Sequence, residues 1–219
     1  MGADGENRRE LALFDFDGTL LAGDSIVAYM RWARRNRLIG LGEFLSVCAG
    51  SIGFTMGLVS SEDSKTRALR FRQDFPLQAR EDMDRRFVRE ELLPRVYKAA
   101  RDALRRHAGE GRLCLLVTAS TENYMRYVSE ALGFHALLAT PVDENGVVRD
   151  NCRGEEKIKR IRQWMEENGI EADLSVSYAY GDSKSDLPLL RLCGHPVQVN
   201  PKRALTMAAP EMETEIWRE

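Results

Sequence analysis

Short apolar runs bounded by turn residues recur along the chain. Stretches of helical periodicity separate them, the alternation that builds a parallel sheet with crossover helices. The runs are LALFDFD at 11–17, RLCLLVTAS at 112–120, SVSYAYGD at 175–182 and HPVQVNP at 195–201. A further region, ALLATPVDENGVVRD, carries Asn145-Gly146 between two extended runs, the strongest short signal for a hairpin turn. Crossover helices are predicted in TENYMRYVSEALGF after the second run, EEKIKRIRQWMEENG after the hairpin and SDLPLLRLCG after SVSYAYGD. In the helix predicted over 155–168, Ile158, Ile161 and Trp164 or Met165 recur at three- to four-residue spacing, and Gly169 is a natural stop. Four or five parallel strands with helices on both faces are implied.

Residues 20 to about 95 break that rhythm and hold no clear strand. They predict helices at roughly 24–37, 41–57, 61–72 and 77–93. The expected architecture is a doubly wound, Rossmann-like α/β core of residues 1–20 and 96–219 with an all-helical second domain, 21–95, inserted after the first strand. The stretch FLSVCAGSIGFTMGLV, 44–59, is uncharged. It is short against the ~20 residues of a bilayer span, and Gly50, Gly53 and Gly57 make it a poor independent helix. It reads as a buried helix of the insertion, with a lipid-facing patch as the alternative.

Composition narrows the class. A chain of 219 residues, 43% hydrophobic and 30% charged, buries a sizeable core and has room for one ordinary domain plus a lesser one. Its 32 Lys+Arg against 34 Asp+Glu give a net charge of -2, so no global field draws it to nucleic acid or to an anionic membrane. Cys48, Cys114, Cys152 and Cys193 lie far apart, the pattern of free thiols in a reducing compartment. MGADGENRRE lacks the apolar core of a secretory signal. A cytoplasmic location is expected, with the first ten residues outside the packed core.

Candidate chemistry sits at the strand ends. Residues two apart in a strand face the same way, so Asp15 and Asp17 share a side and leave together at the carboxyl end, where open parallel sheets bind ligands. Gly18 lets the backbone turn away, and Thr19 can hydrogen-bond locally. YGDSKSDLPLL supplies a second acidic cluster: a helix starting near Ser183 puts Asp182 at its cap and Asp186 one turn in. Oxygen-only donors with no His or Cys nearby favour Mg²⁺ over zinc. Solvated turn aspartates and ordinary capping account for one such cluster, not for two on adjacent strand ends. A site this acidic would repel phosphate without compensation. Thr118, Ala119 and Ser120 offer hydroxyls and backbone N–H groups, and NCRGEEKIKRI offers Lys157, with Arg153 as the competing cation.

With those segments in order, the sequence resembles the haloacid dehalogenase superfamily, in the branch near phosphoserine phosphatase with a helical cap after the first strand. DFDGT, LLVTAS, GEEKIKRI and GDSKSD match its four motifs in order over 15–186. The resemblance implies that Asp15 attacks phosphorus, Asp17 acts as acid and base, and Thr118 and Lys157 bind the transferring oxygens. It assigns Mg²⁺ to the Asp15 and Asp182 carboxylates and the Asp17 backbone carbonyl, supported by Asp186. Asp24 falls where phosphoserine phosphatases carry a glutamate that reads the substrate amine. A small phosphorylated metabolite is the implied partner, with Asp24, Arg67, Arg70 and Arg72 as candidates for selecting it. His107, His135 and His195 have no ligand partners at useful spacing and are expected to be structural. The rival classes are a receiver-like phospho-acceptor module, against which the insertion and Asp17 argue, and a membrane-associated phosphatase of lipid-like phosphates.

Overall fold

A computed structural model describes residues 8–55 and 58–218, without the side chains of Cys48, Gly50 and 51–57. Strand β1 (Leu11–Phe14) is buried at every position and is central to the sheet. It pairs in parallel with β2 (Leu113–Thr121) on one side and β4 (Tyr178–Gly181) on the other. Strand β3 (Ala136–Thr140) lies outside β2, and β5 (His195–Val199) and β6 (Glu213–Glu215) lie outside β4, giving the parallel order β3-β2-β1-β4-β5-β6. All carboxyl ends therefore emerge along one rim.

The period of two along β1 decides which residues pack on which face. Ala12 and Phe14 join Cys114, Leu116 and Tyr180 under α5 (Lys98–Gly109) and α6 (Glu122–Leu132). Leu11 and Leu13 join Leu115, Val117 and Ala179 under α7 (Glu155–Glu167), α8 (Leu187–Leu192) and α9 (Arg203–Ala208). The crossover helices form where their periodicity predicts them, with Gly133 and Gly169 at φ +76° and +61° just past the ends of α6 and α7.

Four details differ from the sequence reading. The chain joins the fold from Arg9 onward, because Arg9 N–H donates to Glu171 O (2.8 Å) and Leu113 N–H to Glu10 O (2.9 Å). Asn145-Gly146 does turn, but only Val142 and Val148 pair across it; the Val148 N–H goes instead to Thr66 Oγ1 (2.9 Å), so the second run forms no strand. The helix after β4 is capped by Ser183, not Asp182: Ser183 Oγ and N–H both donate to Asp186 Oδ2 (2.6 and 3.1 Å). Strand β6 is a three-residue polar segment that carries no apolar alternation.

Between β1 and α5 the described residues form no strand. Helices α1 (Ser25–Arg35), α2 (Leu41–Thr55), α3 (Ser61–Leu69) and α4 (Leu77–Phe87) follow in turn, with 3₁₀ and π turns after α3 and α4. Tyr29, Trp32, Phe71, Phe87 and Tyr124 stack at their centre, with ring centroids 4.4–5.9 Å apart. Within this layer Asp84 takes hydrogen bonds from Tyr29 Oη (2.5 Å), Arg72 Nη2 (2.5 Å) and Asn123 Nδ2 (3.0 Å). The insertion leaves and re-enters the core at one point, where Leu21 bridges Val96 and the Tyr97 N–H donates to Leu20 O (3.0 Å). Of 44–59, residues 56–57 lie outside the described residues and 44–55 form most of α2; Leu41 and Leu45 of α2 are exposed, and no described helix is long and apolar enough to cross a membrane.

The histidines pack as structural groups. His135 Nδ1 accepts from the Cys114 N–H (3.0 Å), and His195 stacks on Tyr178. Cys114, Cys152 and Cys193 are buried free thiols. His107 is fully buried against Tyr180 Oη (2.8 Å), and its pKa is pushed down to about 4 by burial, then by Arg106 and Arg112. In the unfolded chain it titrates near 6.5. Between those values only the unfolded state binds the proton, so stability falls with pH from about 6.5 toward 4, by up to ~1.4 kcal/mol per unit. Urea melts of wild type and His107→Gln at pH 7 and pH 5 should show a smaller loss between the two pH values in the variant.

Candidate active site

At the rim, β1 ends and Asp15 continues its ladder, the Asp15 N–H donating to Tyr180 O (3.0 Å). The Asp15 side chain meets Asp182 and Asp186, one carboxylate oxygen from each lying within 4.8 Å of the others. All three are buried. Like charges so placed are costly in a low dielectric unless compensated. Lys157, from the first turn of α7, is the compensation: its Nζ donates to Asp15 Oδ1 and to Asp186 Oδ1, both at 2.7 Å. Lys202, just beyond β5, pairs with Asp182 Oδ2 at 2.6 Å. Arg153 is exposed at the pocket mouth, one turn before Lys157.

Protonation follows from this geometry. Burial, then the Asp186 charge, pushes the Asp15 carboxyl up to about 8 despite Lys157. Burial alone would lower Lys157, but Asp15 and Asp186 outweigh it and hold the ammonium above its ordinary range. Burial likewise works against ionising Asp186, yet Lys157 and the Ser183 hydrogen bonds bring it below the usual carboxylate value.

Asp17 does not join that triad. Its Oδ1 accepts the Ser25 N–H (2.7 Å), and its Oδ2 accepts from Ser25 Oγ (3.0 Å) and from Ser120 Oγ. Ser25 Oγ also touches Ser120 Oγ (2.8 Å) and Tyr124 Oη (2.9 Å). Burial and the Asp24 charge raise Asp17 to about 7, against the hydrogen bonds from Ser120 and Ser25. The two acids of the first strand thus differ in their surroundings: one is clamped by a cation, the other is held by hydroxyls.

Thr118, Ala119 and Ser120 line the same pocket at the end of β2. Thr118 Oγ1 accepts the Ser120 N–H (3.0 Å), which fixes the loop. Ala119 O receives Lys65 Nζ (2.5 Å) and Thr140 Oγ1 (2.7 Å). Lys65 of α3 also donates to Asn151 Oδ1 (2.7 Å), and burial lowers its pKa to about 8. Asn151 Nδ2 in turn donates to Ser61 Oγ (3.0 Å). Sequence reasoning missed Ser25, Lys65, Asn151, Tyr124 and Lys202; of these Lys202 alone carried a signal, standing just past a predicted strand.

Other expectations need correction. Arg72 is buried in the ion pair with Asp84, and neither Arg67 nor Arg70 lines the pocket, so Lys65 is the cation that the insertion contributes there. Asp24 does line the pocket, but its Oδ1 caps α1, accepting from the Ile26 and Val27 N–H groups (3.0 and 3.2 Å).

The residues suit a hard divalent cation. Their donors at the triad are all oxygens. In their ionised forms Asp15, Asp17, Asp24, Asp182 and Asp186 outnumber Lys65, Arg153, Lys157 and Lys202, and a cation among them favours those forms. Gly18, at φ +85°, is required here: a Cβ on it would overlap the Asp182 carboxylate.

A family model described as haloacid dehalogenase-like hydrolase matches residues 12–191. A histidinol-phosphatase of Neisseria meningitidis is 27% identical over 212 residues, covering 93% of this chain and 96% of the relative. A crystal structure of a Bordetella pertussis protein of unknown function superposes with TM-score 0.86 at 27% identity, covering 95% of this chain and 98% of that one. The phospho-aspartyl intermediate analogue of a phosphoserine phosphatase shares the fold at TM-score 0.66 and 17% identity, covering 96% and 94%.

Gly18→Ala should weaken Mg²⁺ binding measured by calorimetry. Gly111→Ala, at φ +81° with open space around it, should share only the left-handed backbone penalty of ~1–2 kcal/mol and leave Mg²⁺ affinity unchanged.

Proposed function

The chain belongs to the haloacid dehalogenase-like hydrolase family and is a phosphomonoester hydrolase, and from that premise we propose a Mg²⁺-dependent reaction on a small phosphorylated metabolite through an aspartyl-phosphate on Asp15. The observation that carries the reading is the division of labour between Asp15, paired with Lys157, and Asp17, held apart from it by Ser25 and Ser120. The match to a hydrolase family sets aside the receiver-like alternative. In this reading residues 21–95 form the cap over a core of 1–20 and 96–219, and the enzyme works in the cytoplasm on a substrate that is not a nucleic acid.

The carboxylates of Asp15 and Asp182, with the Asp17 backbone carbonyl and Asp186 in support, would hold Mg²⁺. When bound, the ion would screen the nucleophile from a phosphate dianion and hold Asp15, whose pKa burial otherwise raises to about 8, in the ionised form that attacks. Lys157, the Thr118 hydroxyl and the backbone N–H of Ala119 bind the phosphoryl oxygens, so the developing charge meets preorganised donors. Asp15 attacks phosphorus as the ester P–O bond breaks, and protonated Asp17 gives its proton to the leaving alkoxide. A pKa raised to about 7 keeps a proton available there near neutrality. Water then attacks the phosphorus of the aspartyl-phosphate, Asp17 takes its proton, and phosphate and the Asp15 carboxylate are released. The Neisseria relative's name supports a phosphate ester of a small alcohol. Asp24, engaged as a helix cap, gives little support to a phosphoserine-like amine contact.

Asp15→Asn should lower Mg²⁺-dependent phosphate release by roughly 10³-fold or more with an unchanged circular dichroism spectrum. Retained turnover in that variant removes the nucleophile. Asp17→Asn should slow an alkyl phosphate by ~10²–10⁴-fold and p-nitrophenyl phosphate far less, since a good leaving group needs no acid. Equal losses on both would count against Asp17 as the proton donor.

A further inference from the structure

A second cavity, of about 100 Å³, lies within the helical insertion. Ile26, Val27 and Met30 of α1, Phe44 and Val47 of α2, and Ala68 of α3 make up most of its wall. It is partly open as well as walled by the three helices, so it is a recess that a group can enter.

Its position suggests what fills it. Ile26 and Lys65 line both this cavity and the catalytic pocket, so the two spaces adjoin. Lys65 Nζ is tied on the catalytic side to Ala119 O and Asn151 Oδ1, which leaves its aliphatic stem along the boundary. Ser25 holds Asp17 and is followed directly by Ile26. An organic group departing from the Asp17 end of the site meets the first turn of α1, and the apolar opening lies next to it.

We propose that this cavity is the subsite for the organic part of the substrate, and that the substrate is a phosphomonoester of an alcohol bearing a compact apolar group of about four carbons. An apolar cavity of about 150 Å³ takes up benzene, which sets the scale for the smaller space here. The subsite rests on the phosphatase reading for its orientation, with phosphate at Asp15 and the apolar group between α1, α2 and α3. The Lys65 stem lines the passage between the two spaces, with its ammonium on the polar side.

The test uses the full chain with Mg²⁺ and two series of probes. Calorimetric affinity for n-alkylphosphonates, which do not turn over, should rise about fourfold per methylene from methyl to butyl and then level off. The kcat/KM values of the matching n-alkyl phosphates should rise in parallel. Ala68→Leu, which fills the cavity, should bring the butyl-to-methyl affinity ratio close to one, whereas Met30→Ala should move the plateau to longer chains. Should Ala68→Leu fail to fold by circular dichroism, the wild-type series and Met30→Ala decide. Equal affinity for methyl- and butylphosphonate overturns the subsite, and ester hydrolysis without a chain-length effect does so while leaving the phosphatase reading intact. A chain-length gain in phosphonate affinity with no hydrolysis of any ester removes the phosphatase reading and upholds the cavity as a binding site.

Discussion

Three carboxylates from two strand ends share a nearly dry space because one ammonium is threaded between two of them and a second holds the third. Lys157 Nζ reaches Asp15 and Asp186 at equal distance, and its helix, α7, is placed by the Ile161 packing beneath the sheet. Removing the lysine would leave buried charges with no partner, the kind of loss that is expensive in an interior. The clamp therefore does two jobs. It lets β1 and the β4 rim come together, and it leaves a local excess of negative charge for a cation to offset.

Around that clamp the molecule separates two chemically different acids only two residues apart. The strand's alternation aims both side chains at the rim, but the chain turns at Gly18, and the helical insertion then supplies Ser25 to hold Asp17. The insertion is thus part of the site's electrostatics as well as its cover. Lys65 extends the same principle to the β2 end, where a cation from α3 grips the carbonyl of Ala119.

What could be read from the chain follows the range of the interactions involved. The positions of Asp15, Asp17, Thr118, Ser120, Asp182 and Asp186 follow from strand periodicity and the turn after each strand, which are local properties. Lys157 and Arg153 lie one helical turn apart, so spacing could not choose between them; only the packing of α7 against the sheet places one inside and the other at the mouth. Lys65 and Asn151 meet across 86 residues, and Ser25 ties Asp17, eight residues before it, to Ser120 and Tyr124 far along the chain; short motifs carry no trace of such contacts. Asp24 both lines the pocket and caps α1, and the sequence could not show that one acid does both.

The loop after β3 is bound to the insertion at several points. Val148 N–H donates to Thr66 Oγ1 (2.9 Å), Glu144 O accepts from Arg80 Nη1 (2.9 Å), and Asn151 joins Ser61 and Lys65. The interchangeable part of the molecule is consequently discontinuous. Grafting the helices alone onto a sister scaffold would strand these polar atoms without mates, whereas a chimera that carries 142–151 along with 21–95 would transplant the seam intact. Divergence of this insertion is thereby yoked to a stretch more than forty residues downstream of its end.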